Sequence, residues 1–188
     1  MKSTTIGLPR GMLYYRYAPL WRAFFQEVGV ETVVSDPTDR EILEQGTALA
    51  IDEACLSLKI YLGHVAALVG KCDRILVPRV SNFGRHRNMC TRFEALPDLV
   101  QNVFRDAGQA FLFYNVDVLQ KKDEAEAFLE LGRTLGLPAK ETRQAYKTAK
   151  KAEQSQLKAK VQRQELIRRQ EGLKVLIAGH SYVVEDPY

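Results

Sequence analysis

Apolar positions along the chain alternate between short β-type runs and longer stretches at helical spacing. Thr4–Leu8 is a short run closed by the turn-like Leu8-Pro9-Arg10-Gly11, and predicts a strand. Leu13, Tyr17, Leu20, Trp21, Phe24, Phe25 and Val28 then share one helical face, with Gly29 as the C-terminal stop. Glu31–Ser35 predicts a second strand through its Val pair. After Asp36-Pro37, Thr38 followed by Glu41 reads as a capping box, opening a helix that runs to about Gly46. Leu58, Tyr61, Leu62, Val65 and Leu68 mark a further helix over Leu56–Val69. Arg74–Val80 is apolar on both faces, as a central parallel strand is, with Pro78 expected near its end. A polar, basic loop spans Ser81–Thr91. Leu96–Ala107 predicts a helix, Ala110–Val118 a fourth strand and Glu124–Leu135 another helix.

This alternation predicts an α/β fold with a doubly wound, mainly parallel sheet of about four strands. Ligands in such sheets sit beyond the carboxyl ends of the strands. Residues 139–172 contain no Pro, and their one Gly closes the segment, so they predict a single helix. At about 1.5 Å per residue it is about 50 Å long. Its apolar positions (Tyr146, Ala149, Leu157, Val161 and Ile167) are sparse, as in a solvated helix or a strut between lobes. Leu173–Gly179 then reads as a new strand, the opening of a second α/β unit. The expected division is an α/β lobe over 1–138, a long basic helix over 139–172 and the first strand of a truncated second lobe over 173–188.

Composition narrows the class. With 46% hydrophobic and 27% charged residues, the chain falls outside disordered and fibrous classes. No apolar run reaches the roughly 18 residues of a spanning helix, and the start lacks an apolar signal core, so no membrane partner and a cytoplasmic location are expected. The net charge of +4 is uneven. Residues 139–172 hold ten basic and four acidic residues, against 17 and 19 elsewhere. That helix lacks interleaved aromatics beyond Tyr146, so its charge reads as a solvated face and no nucleic-acid partner is expected.

Three cysteines remain to be placed. Cys55 opens a helix, where the positive end of the dipole favours a thiolate, and so suits a metal ligand or reactive thiol; the alternative is a small buried apolar side chain. Cys90 lies in the basic loop after the third strand, on the expected ligand side, and is either a functional or an incidental thiol. Cys72, at the opposite end of the layer, reads as structural. There is no Cys-x-x-Cys pair, no Walker motif and no G-x-G-x-x-G. His64 reads as a core or surface histidine, and His86 as a further donor near Cys90.

The segments IGLPRGMLYYRYAPLWRAFFQEVGVETVVS, DEACLSLKIYLGHV, RILVPRV and MCTRFEALPDLV together resemble the 2-hydroxyacyl-CoA dehydratase component family. The similarity is greatest to relatives of its D component that are associated with CoA-substrate-specific activases. It spans residues 4–188. The resemblance implies α/β lobes that hold an iron–sulfur cluster, of the 4Fe-4S type, on cysteine thiolates. It also implies reduction by a separate ATP-dependent activase, and lyase or reductase chemistry on an acyl-CoA or other small substrate. Cys55-Leu56-Ser57-Leu58-Lys59 matches the family's Cys-Leu-Pro-x-Lys motif. Cys90, Thr91, Phe93 and Leu96-Pro97-Asp98 match the second ligand motif. Ser57 and Thr91 stand where the family has proline. The family's third cysteine lies in its second lobe, so Cys55 and Cys90 are an incomplete set, and a second α/β lobe or homologous subunit is the implied partner. Two other readings follow from the residues alone: a redox-inert α/β module that docks a partner through the long helix, and a mononuclear metal site on Cys55, Cys90 and His86.

Overall fold

The computed structural model describes residues 4–186 and 188. Four strands, β1 (Thr5–Leu8), β2 (Glu31–Val34), β3 (Arg74–Asn82) and β4 (Ala110–Asp117), form one sheet in the order β2-β1-β3-β4. Every pairing is parallel. Helix α1 (Tyr14–Glu27) joins β1 to β2; α2 (Arg40–Leu49) and α3 (Leu56–Leu68) join β2 to β3. The short α4 (Thr91–Glu94) and α5 (Leu96–Val103) join β3 to β4, and α6 (Glu124–Thr134) follows β4. Helices cover both faces of the sheet, as expected of a doubly wound α/β fold. The order in which strands are added reverses between β1 and β3, so the crevice beyond the carboxyl ends of these two strands is the favoured ligand position of the topology.

The predicted helix faces are the buried ones. From α1, Tyr17, Leu20, Trp21, Phe24 and Phe25 are all buried. Tyr17 stacks on Trp21 with centroids 5.5 Å apart, Trp21 meets Tyr114 of β4 edge-on at 5.5 Å, and Phe24 meets Phe128 of α6 at 4.6 Å. From α3, Leu58, Tyr61, Leu62, Val65 and Leu68 are buried. Helices α2 and α3 touch backbone to backbone. A Cβ on Gly46 would lie 1.8 Å from the Lys59 carbonyl oxygen, and one on Gly63 1.9 Å from that of Ile42.

Three sequence expectations change. Helix α2 is capped by Asp39, whose carboxylate accepts from the Ile42 amide at 2.8 Å; Thr38 is drawn away to a buried partner described below. Pro78 lies inside β3, opposite Tyr114 of β4. It is tolerated because β1 pairs with β3 only as far as Ile75, leaving an open edge beyond it. Leu173–Gly179 joins no sheet: its apolar side chains stand in solvent, Leu173 at 95% and Leu176 at 91% exposure. Its sequence suits a strand, but no strand among the described residues lies beside it.

The basic helix α7 (Ala139–Arg169) is continuous, as its composition predicts. Its first half packs on α1 and α6 through Thr142, Ala145, Ala149 and Glu153. Glu153 is buried between Arg16 and Lys150, each at 2.7 Å, and these cations hold its carboxyl below the usual range against the opposing effect of burial. In the second half Leu157, Val161 and Ile167 are exposed.

Candidate functional site

Both candidate ligand cysteines lie on the carboxyl-end side of the sheet. Cys55 is the N-cap residue of α3, with extended backbone (φ −65°, ψ 151°). Its carbonyl accepts from the Leu58 and Lys59 amides at 3.0 and 3.1 Å, while its thiol is exposed. Lys59 reaches back to the Asp52 carbonyl at 3.1 Å and closes the preceding turn. Cys90 is the N-cap residue of α4, again with its thiol exposed. Each cysteine therefore stands at the start of a helix, and neither thiol takes a capping hydrogen bond. The exposed apolar side chains of Ile51 and Leu56 flank Cys55, and Phe83 stands on the Cys90 loop.

The Cys90 loop is pinned rather than free. Asn82, buried at the end of β3, donates to the Asp117 carboxylate at the end of β4 at 2.7 Å. Its side-chain oxygen Oδ1 accepts from the backbone amides of Gly84 and Leu119 at 3.2 and 3.0 Å. Met89 N–H donates to the Ser81 carbonyl at 2.9 Å, and Phe83 N–H to that of Arg87 at 3.0 Å. Asn82 and Asp117 thus position Cys90. Sequence reasoning missed them, because a polar residue at a strand end reads simply as the start of a loop.

One aromatic residue relates the two thiols. Burial first, and then the charges of Cys55 and Cys90, push the phenol of Tyr182, in the short helix α8 (Ser181–Val184), above the ordinary range. Its ring stacks on His180 at 5.1 Å and meets Phe93 at 6.0 Å. Tyr182, His180, Phe93, Cys90, Tyr17 and Arg16 line an open cleft of about 540 Å³.

The remaining candidates separate from this edge. Cys72 sits just before β3 with its Sγ against Gly7, where a Cβ on that glycine would approach to 2.6 Å, and burial raises its thiol pKa. It is a packing residue. His86 is exposed at φ 61° in the Cys90 loop. Among the described residues no three His, Cys, Asp or Glu side chains come together as a metal site, so His86 does not complete a set with Cys55 and Cys90. The Leu8-Pro9-Arg10-Gly11 turn spends its Arg10 amide on Ser35 Oγ at 2.9 Å, so it is a structural turn. His64 is a core histidine with 0% exposure, its Nδ1 3.0 Å from Ser35 Oγ and its Nε2 3.0 Å from Thr38 Oγ1.

Cys55 and Cys90 offer two soft donors. Two exposed thiols share one edge of the sheet, both within electrostatic reach of one phenol, and no third soft donor joins them among the described residues. No helix among the described residues is long and apolar enough to cross a membrane. Over residues 5–188 the chain matches the family model described as the CoA enzyme activase uncharacterised domain (DUF2229). No curated protein and no solved structure matches it significantly.

Proposed function

The chain belongs to the CoA enzyme activase uncharacterised domain family, and from that premise we propose that it is one lobe of an iron–sulfur protein of the 2-hydroxyacyl-CoA dehydratase or reductase type. In this reading, which also takes up the likeness to D-component relatives, Cys55 and Cys90 supply two thiolates. A second α/β lobe or homologous subunit supplies the rest. An ATP-dependent activase is the electron donor, and an acyl-CoA or other small molecule is the substrate. The observation that carries the reading is the placement of both exposed thiols at helix N-termini on the carboxyl-end side of the sheet. When bound, a [4Fe–4S] cluster on three protein thiolates supplies one-electron reduction and an open iron. The chain's own part is to hold its thiolates in register through Asn82 and the α2–α3 contact, and to line the adjoining cleft.

Reconstituting the full-length protein anaerobically as Cys55→Ser, Cys90→Ser and Cys72→Ser variants tests this. Iron content falls sharply in the first two and is unchanged in the third. Equal iron in all three contradicts the assignment.

A second reading, a redox-inert module that docks a partner through the long helix, is favoured by the exposed Leu157, Val161 and Ile167 in the second half of α7. It predicts partner binding that survives both cysteine substitutions.

A further inference from the structure

A chain of hydrogen bonds runs from the β1–α1 turn through the buried His64 to the carboxylate of Asp186. The Arg10 amide donates to Ser35 Oγ at 2.9 Å, and Ser35 Oγ lies 3.0 Å from His64 Nδ1. His64 Nε2 lies 3.0 Å from Thr38 Oγ1, which donates to Asp186 Oδ2 at 2.7 Å. Tyr15 donates its phenol to the same oxygen at 2.9 Å. The directions follow from the donor inventory. A carboxylate only accepts, so the single Thr38 proton goes to Asp186, and Thr38 must accept from His64. His64 therefore carries its proton on Nε2, its Nδ1 accepts from Ser35, and Ser35 accepts from Arg10. Each member is satisfied once, with no donor or acceptor left over at the imidazole.

The geometry points to a carboxylate-binding socket built from Tyr15, Thr38 and His64, with Arg10 nearby. Its occupant is the chain's own Asp186, and it seats the segment His180–Asp186 so that Tyr182 packs on Phe93 in the cleft that Cys90 lines. Three features support this. Thr38, at 6% exposure, and His64, at 0%, are too buried to be satisfied by bulk water, so the socket calls for a specific acceptor. The acceptor comes from 148 residues away in the chain, so it is a tertiary lock and not a local turn. The segment it holds carries Tyr182, whose ring packs on Phe93 just after Cys90. By this assignment Asp186 is a positioning residue for the thiol edge. The inference stands whether or not the thiols take a cluster.

Hydrogen–deuterium exchange of the full-length protein tests it, with Asp186→Ala and Thr38→Val compared against the natural chain. The amides of Val183, Val184 and Glu185, which bond to His180 and Ser181, exchange several-fold faster in both variants, while β1 and α3 keep their protection. Asp186→Asn, which retains an acceptor oxygen, falls between. Adding acetate to Asp186→Ala shifts the His64 imidazole resonances, and adding it to the natural chain does not, because the socket is already filled. Unchanged exchange over residues 180–186 in both variants overturns the seating role. Acceleration spread over the whole domain does so as well. Imidazole resonances in Asp186→Ala that ignore acetate overturn the carboxylate assignment. Iron content reads none of these outcomes, so the socket and the cluster reading fail separately.

Discussion

Gly63→Ala destabilises the domain by about 3 kcal/mol or more, near the upper end of single-substitution effects. The new Cβ would lie 1.9 Å from the Ile42 carbonyl oxygen and 2.8 Å from its carbon, both backbone atoms of α2. Flexible side chains could move aside, but a helix backbone moves only with the whole helix. Gly46→Ala meets the Lys59 carbonyl in the same way from the other helix, so it belongs to the same class. The contact bears on the site, because α3 begins at Cys55 and its axis is set by how closely α2 approaches. Gly29→Ala is the contrast. Its φ of 69° strains an alanine, yet nothing lies within 4 Å, so the cost is about 1 kcal/mol. Urea denaturation of the three variants checks the order. Gly63→Ala no less stable than Gly29→Ala would show that α2 and α3 do not touch as described.

Acidification from about pH 6.5 to about pH 4 removes up to about 3 kcal/mol of stability through His64 alone. Burial pushes its imidazole down from the usual 6.5 to about 4, and the nearby Arg10 charge acts in the same direction. The Asp186 and Asp39 carboxylates oppose both without reversing them. In the unfolded chain His64 takes up a proton near its ordinary pKa, while in the folded protein it stays neutral until about pH 4. Across that window the unfolded state binds more protons, so stability is full above it and falls as the pH drops. The hydrogen-bond chain gives the same sign, since a proton on Nδ1 would face the Ser35 hydroxyl that now donates to it. His64→Gln shifts the whole curve but removes this slope. Stability measured against pH for both chains separates the terms, and parallel curves would contradict the buried neutral histidine.

Much of the fold was legible because its signals are local. The apolar faces of α1 and α3 and the paired Val residues of β2 need only the period of their own segment to declare burial. The continuous α7 follows from the absence of Pro and of interior Gly. What stayed hidden depends on contacts between distant segments. Thr38 and Asp39 are adjacent, and either can cap a helix; the choice falls to Asp39 because His64 engages Thr38. Pro78 looked like a strand end because the shortness of β1, which frees one edge of β3, is visible only in the assembled sheet. The apolar run Leu173–Gly179 has the composition of a strand, but composition cannot supply a neighbour to pair with. Of the candidate site, the positions of Cys55 and Cys90, at the start of a helix and in a loop after a strand, were legible. Tyr182 and Asp186 were not, since nothing local distinguishes them. Their contacts with Thr38 and with Phe93 join segments far apart in the chain.

Iron and acid-labile sulfide in the wild-type protein after strictly anaerobic reconstitution decide whether Cys55 and Cys90 are two ligands of one iron–sulfur site. Iron and sulfide are expected in near-equal amounts, both lost when Cys55 and Cys90 are replaced together by serine. Zinc without sulfide, or no retained metal with both thiols intact, would contradict it.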